Sequence, residues 1–328
     1  MKKEAYFYKK ENNTVVCCLC PKNCVIKEGQ RGACSVRVNE NGTLYTLNYG
    51  EISSVAIDPI EKKPLFHFKP GSSILSLGSI GCNFHCGFCQ NFSISKEFRN
   101  TEYFSSEDLT RLIEKEMEQG SIGAAFTYNE PSVWYEYILD TIKNLDDKIK
   151  IVLVTNGYIS EEPFKKILPY IDAVNIDLKA FSNSFYKNIC GGNIENIKEN
   201  IKTASSMCHT EITNLLVNGY NDSDDEIEKL SIWLSKISPD IPLHITRYYP
   251  AYKFKASATP CEKLLNARKI AEKYLYYVYL GNMPINVDNN TYCPQCRQPL
   301  ILRESGNINV LIRESICPNC GHKLPIVI

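Results

Sequence analysis

Between residues 71 and 287 the chain alternates short apolar runs with longer stretches whose apolar positions recur every three or four residues. The runs Ile74–Leu77, Ile122–Thr127, Ile151–Thr155, Ala173–Leu178, Glu211–Val217, Leu243–Thr246 and Tyr277–Leu280 predict strands. Helices fall between them. Ser105 or Ser106 predicts a cap for a helix facing inward through Leu109, Leu112, Ile113 and Met117, with Gly120 beyond its end. Ser223 and Glu226 predict a capping box ahead of Ile227, Leu230, Trp233, Leu234 and Ile237. The tyrosine-rich Tyr274–Tyr279 reads as a helix end running into a strand. Strands alternating with helices imply βαβ units and a parallel sheet. Six or seven units predict an α/β fold, a full or partial (β/α) TIM-type barrel, with a doubly wound open sheet as the rival. No Gly-x-Gly-x-x-Gly follows the first strand, which favours the barrel.

The flanks differ from this pattern. Residues 1–70 form a cysteine-rich metal-binding region that ends in the loop-rich Asp58–Phe68, and residues 288–328 form a small cysteine-bounded tail. With 44% hydrophobic residues, the 328-residue chain can bury a sizeable core. No apolar run approaches the roughly 18–20 residues that span a bilayer. The 37 basic and 37 acidic residues cancel, which argues against a bulk nucleic-acid or anionic-membrane binder. The polar start carries no leader-like apolar core, so a cytoplasmic setting is expected.

Cysteine changes the picture most. Twelve of the 15 cysteines fall into three groups, which in a reducing compartment reads as metal binding or catalysis. Immediately after the first predicted strand, Cys82, Cys86 and Cys89 stand at C-x3-C-x2-C, with Gly81 and Gly87 allowing tight turns. Three thiolates can wrap a [4Fe–4S] core that normally takes four, leaving one iron open to a small molecule. The alternatives are buried structural cysteines, or a zinc site completed by His85. At the far end Cys293, Cys296, Cys317 and Cys320 form two C-x2-C knuckles, a zinc-ribbon-like pattern with rubredoxin-like iron as the alternative. Near the start Cys17, Cys20, Cys24 and Cys34 form C-x2-C-x3-C-x9-C with Cys18 left over. Zinc and a second Fe–S cluster both satisfy that spacing, with zinc the first choice. Cys190, Cys208 and Cys261 read as small core hydrophobes.

The C-x3-C-x2-C loop, with aromatic Phe88 before its third cysteine, resembles that of the radical S-adenosylmethionine (SAM) superfamily. The resemblance implies a [4Fe–4S] cluster on Cys82, Cys86 and Cys89. The amino and carboxylate groups of SAM would bind the open iron, and one electron would cleave SAM to methionine and a 5′-deoxyadenosyl radical. Thr127–Pro131 takes the place of the Gly-Gly-Glu-Pro element, with Tyr128-Asn129 replacing the two glycines and Glu130 facing the SAM amino group. Asn156 is a further polar contact. Asp177 and Lys179, in an Asp-Leu-Lys similar to that of glycyl-radical activating enzymes, fall on one side of their strand, and Lys179 would meet the SAM carboxylate. His244 is added from the sixth strand.

A narrower resemblance runs over nearly the whole chain, through Cys18–Pro21, Gly29–Cys34, Asp58–Phe68, Thr127–Pro131, Tyr279–Asn282 and the terminal knuckles. It is to the radical SAM member of the AmmeMemoRadiSam system, which is pyruvate formate-lyase activating enzyme-like. That resemblance implies AMMECR-type and Memo-type partners. No flavin or NAD signature is visible, so a flavodoxin or ferredoxin-type donor is expected to supply the electron. The candidate target is a glycine of a glycyl radical protein; the alternatives are a small molecule or RNA nucleoside, or, in another class, a zinc-binding interaction protein.

Overall fold

The computed structural model describes residues 2–11, 14–97, 100–304 and 306–328. Its centre is an eight-stranded sheet. In chain order the strands are β1 Ser54–Pro59, β2 Ser73–Gly78, β3 Ser121–Phe126, β4 Lys150–Thr155, β5 Ala173–Asp177, β6 His209–Leu216, β7 Leu243–Arg247 and β8 Val278–Gly281. Strands β2 to β8 are parallel neighbours in that order, while β1 pairs antiparallel with β2. All seven predicted strands are present. Helices cover the outer face, so the parallel strands are buried on both sides and read as continuous apolar runs.

Two departures from the sequence reading matter. The barrel is not closed: among the described residues β1 and β8 are edges that share no ladder, so the partial form is correct and the full form is not. Backbone direction gives the reason, because the edge strand beside β2 is antiparallel and β8 is only four residues long. At its base the gap is plugged by side chains instead. The Phe66 ring packs 4.7 Å from both His244 and Tyr279, and the Arg303 guanidinium lies 4.3 Å from it. The second departure is β1 itself, which lies within the region assigned to the N-terminal module yet belongs to the central sheet. Its outer positions are exposed, so it lacks the apolar run that marks the others.

The predicted helix starts are largely as expected. Helix α1 (Ser106–Glu118) carries a full capping box from Ser105 and Asp108, and buries Leu109 and Ile113. The chain continues through α2 (Tyr135–Ile142), α3 (Glu161–Ile167), α4 (Ile194–Met207), α5 (Asp224–Ser235) and α6 (Cys261–Ala271). Ser223 caps α5, but Glu226 does not complete the box; its Oε1 accepts from the Phe181 amide at 2.7 Å.

The flanking modules are tied to the sheet by buried polar groups. Two small antiparallel sheets make the N-terminal module. From it the Arg37 Nη2 donates to both carboxylate oxygens of Glu136 of α2 at 2.8 and 2.7 Å, both side chains being buried. At the base, Glu211 accepts from His244 at 2.6 Å, from His209 at 2.9 Å, and from the amides of Phe66 and His67 at 3.0 and 2.7 Å. Burial opposes ionisation of Glu211, but the bonds from His209 and His244 outweigh it and hold its carboxyl well below the usual range. Glu211→Ala orphans four donors, those of His67 and His244 buried, and is expected to lower the unfolding free energy by about 3–5 kcal/mol. Urea unfolding checks this, and a loss below ~1 kcal/mol would contradict it.

Candidate active site

The C-terminal ends of the strands line a cavity of about 400 Å³. Cys82, Cys86 and Cys89 enter it from the loop after β2, and Glu130, Asn156, Asp177, Lys179, Thr213 and Thr246 line it with them, Asn156 donating to the Cys82 sulfur at 3.7 Å. Parallel register explains the convergence: Leu77, Phe126 and Leu153 stand abreast, as do Asp177 with Thr213 and Thr246 with Gly281. Loops that follow such strand ends necessarily meet at one face.

The three-cysteine loop is held from several directions. Asn129 accepts from the Ser79 amide at 2.9 Å and donates to the Gly81 carbonyl at 3.0 Å. Asn156 donates to Asn83 at 2.9 Å, and Asn83 donates to the Tyr158 carbonyl at 2.6 Å. Phe88 is buried between Phe185 and Phe254, which explains the aromatic residue before Cys89. Gly87 sits where an added Cβ would stand 2.7 Å from the Phe254 ring.

These residues fit a metal–sulfur core. Burial pushes the Cys82 thiol up to about 12 and raises Cys89; Cys86 is raised by a hydrogen bond with Cys190 and then by burial. Thiols in that state are poor nucleophiles, and a bound cationic core reverses the balance by favouring thiolate. His85 is exposed and does not line the cavity; it rests against Gly191, so it offers no fourth ligand. Cys190 is buried beside Cys86 but likewise does not line the cavity. Three sulfurs therefore face the cavity without a fourth.

Glu130 serves both readings of its position. It caps the short helix Pro131–Trp134 through the Ser132 amide at 3.0 Å, and it lines the cavity. Thr155 and the Asn156 amide donate to it at 2.7 and 2.8 Å, yet no cationic side chain pairs with it among the described residues. Burial holds its carboxyl above the usual range against these donors. A carboxylate so placed can receive an arriving ammonium group. Lys179 and Asp177 do share a side, bonded at 2.8 Å. His244 is not brought to this cavity: it sits at the base of β7, bound to Glu211, because the second residue of that strand lies at the end opposite the loops.

Sequence reasoning missed one constellation. Asp58 accepts from Tyr128 at 2.7 Å and from Lys63 at 2.8 Å, and the Lys63 ammonium lies 4.8 Å from the Tyr128 ring. Tyr128 has φ 69°, a left-handed conformation that a glycine would take freely. The tie to Asp58 holds the tyrosine in it, and Lys62, Lys63 and Pro64 consequently join the cavity wall.

The other cysteine groups are also gathered. Cys293 and Cys320 stand 3.6 Å apart, as do Cys296 and Cys317, and all four sulfurs lie within 4.8 Å of one another. A tetrahedral ion bound at about 2.3 Å would space sulfurs by about 3.8 Å, so the set suits zinc and iron alike. Leu300, Ile301 and Leu324 give the module a small core. A strong chelator is expected to raise amide hydrogen exchange at Leu300 and Ile301 at least ~10-fold while sparing β2 to β7. Unchanged exchange would contradict a structural metal. Cys17, Cys20, Cys24 and Cys34 line a separate cavity, and Cys18 does not.

Residues 77–234 match the family model of the radical SAM superfamily. An uncharacterised protein of Methanocaldococcus jannaschii, MJ0808, is 42% identical over 99% of this chain and 100% of its own length. The 4-hydroxyphenylacetate decarboxylase activating enzyme of Clostridium scatologenes is 30% identical over 42% of this chain and 46% of its own. A GTP 3′,8-cyclase of Limosilactobacillus fermentum is 28% identical over 44% and 45%. Among the described residues no helix is long and apolar enough to cross a membrane.

Proposed function

Because the chain belongs to the radical SAM superfamily, we propose that it uses SAM and a [4Fe–4S] cluster on Cys82, Cys86 and Cys89 to abstract hydrogen from a glycine of a partner protein. The observation that carries this reading is that three cysteine sulfurs of one short loop face a single cavity. When bound, the cluster and SAM supply one-electron cleavage to methionine and a 5′-deoxyadenosyl radical. The chain's own part is to bind and orient. Glu130 takes the ammonium group of SAM, Lys179 meets its carboxylate, and the Asn156 amide locks the cysteine loop against β4. Asp58, Lys63 and Tyr128 fix one wall.

Similarity to the activating enzyme of a decarboxylase supports a partner protein as target; similarity to a GTP 3′,8-cyclase supports a nucleotide or other small molecule as the second reading. An electron donor of the flavodoxin or ferredoxin type and a cytoplasmic setting belong to the same proposal, as do AMMECR-type and Memo-type partners. Anaerobic incubation with SAM, reductant and either a candidate glycyl radical protein or GTP, read by mass spectrometry and EPR, separates the targets. A protein-borne glycyl radical supports the first reading, and a modified nucleotide overturns it in favour of the second.

A further inference from the structure

The segment Asp58–Phe68 runs along the inner face of the sheet, and the charge of its two lysines is not used by the mechanism above. It leaves β1 through a short helical turn, Ile60–Lys62, which the Lys63 amide closes on the Ile60 carbonyl at 2.9 Å. Asn175 then donates to the Pro64 carbonyl at 2.7 Å, and Asn175 shares a face of β5 with Asp177. Leu65 is fully buried in one cluster with Ala125, Val152 and Ala173 of three parallel strands. Beyond it the Phe66 and His67 amides donate to Glu211. Held along its length, the segment presents Lys63 to the cavity in a fixed position, with Lys62 beside it.

Charge on the cavity wall is unequal. Lys62, Lys63, Lys96 and Lys179 line it, against the carboxylates of Glu130 and Asp177. Lys179 is paired with Asp177 at 2.8 Å. Lys96 donates to the Cys82 and Phe84 carbonyls, so its charge stays on the cysteine loop. Glu130 is the group placed to take the ammonium of SAM. Lys62 and Lys63 remain, and they share Asp58, which does not line the cavity, at 3.3 and 2.8 Å. Asp58 accepts from Tyr128 as well. One carboxylate thus answers two ammonium groups. Glu61, the next acid along, accepts from the Gly71 amide at 2.8 Å and does not line the cavity either.

Lys63 is the buried member of the pair, its side chain 2% exposed. Its ammonium lies 4.8 Å from the Tyr128 ring, and among the described residues its only hydrogen bond is to Asp58. An ammonium group carries three donors, and leaving two of them without partners in a dry site is costly. A negatively charged ligand oxygen at this wall satisfies them and supplies the charge that Asp58 cannot supply twice.

We propose that Lys62 and Lys63 bind an anionic group of the substrate, a carboxylate or a phosphate, and hold it at the wall that Tyr128 helps to form. The proposal rests on the reading of this cavity as the place where SAM is cleaved, and deepens it by giving the substrate a charge. In a target protein the group is an acidic side chain beside the reactive glycine; in a nucleotide it is a phosphate. The two lysines bind and orient. They take no part in hydrogen abstraction.

The test is anaerobic calorimetry on the cluster-loaded protein with SAM. Its probes are inorganic pyrophosphate, a blocked pentapeptide with glycine between two glutamates, and the glutamine counterpart of that peptide. At least one anionic probe is expected to bind, and a bound glutamate peptide should exceed its glutamine counterpart by at least ~10-fold. Pyrophosphate binding alone identifies a phosphate as the source of the charge, and glutamate-peptide binding alone identifies a protein carboxylate. Lys62→Gln/Lys63→Met should weaken the bound probe at least ~10-fold. Lys62→Glu reverses an exposed charge without disturbing the core; alone it should weaken the probe at least ~3-fold and leave the Kd for SAM within ~3-fold. No binding of either anionic probe, a glutamine peptide that binds as tightly as the glutamate one, or probe affinities unchanged in both variants would overturn the proposal. So would a Lys62→Glu protein that loses SAM and keeps the probe, since the lysines would then serve the SAM carboxylate. A parent protein that binds the probe but cleaves no SAM would instead sink the radical reading and leave the anion site standing.

Discussion

Cys86→Ala is expected to lower 5′-deoxyadenosine formation by roughly three orders of magnitude or more, to the background of the assay. Two sulfurs cannot hold the core that three wrap, so the loss comes from the absent centre and not from weaker binding of a substrate. The loop itself should survive, because Asn129, Asn83 and Phe88 fix it independently of the sulfur. Unchanged circular dichroism would show that the rest of the sheet is intact. Cys190→Ala is the matched control: this thiol touches Cys86 but stands outside the cavity, so its loss should leave the iron of the Cys82 loop in place. If Cys190→Ala removed that iron and Cys86→Ala did not, the ligand set would be wrong.

Glu130→Gln should raise the KM for SAM by roughly 10–100-fold with cluster content unchanged, the range expected for one charge-assisted contact in a dry site. Glu130 already receives three donors, from Ser132, Thr155 and Asn156, and lacks any cationic partner among the described residues. Its negative charge is thus stabilised but not neutralised. The amide keeps the volume and one acceptor oxygen, and removes the charge. A KM within ~2-fold of the parent would leave Glu130 as a helix cap and a bridge to β4, with no part in binding SAM.

What the sequence made legible was local. The runs that became β2 to β8 were visible because strands buried on both faces are apolar throughout, and β1 was missed because its outer positions face solvent. The C-x3-C-x2-C spacing needs no tertiary information, whereas the partnership of Asp58 with Tyr128 joins residues 70 positions apart. Tyr128-Asn129 stand in place of the two glycines. The structure shows a different solution, in which Tyr128 bonds Asp58 and Asn129 grips the cysteine loop. Cys190 read as a small core residue and is buried, but its contact with Cys86 could not be seen from spacing. His244 illustrates the converse error. Lying on a strand that contributes to the cavity was not enough, since only the strand's far end reaches it.

The central claim is that Cys82, Cys86 and Cys89 present a cluster with one iron free to bind SAM. The direct measurement is electron–nuclear double resonance on the reduced, iron-reconstituted protein, using SAM labelled with ¹⁵N at its amino group. A ¹⁵N coupling to the cluster signal, lost when unlabelled SAM displaces the label, is the predicted result; a cluster signal that shows no such coupling, or a Cys82 loop that binds zinc alone, would contradict the account.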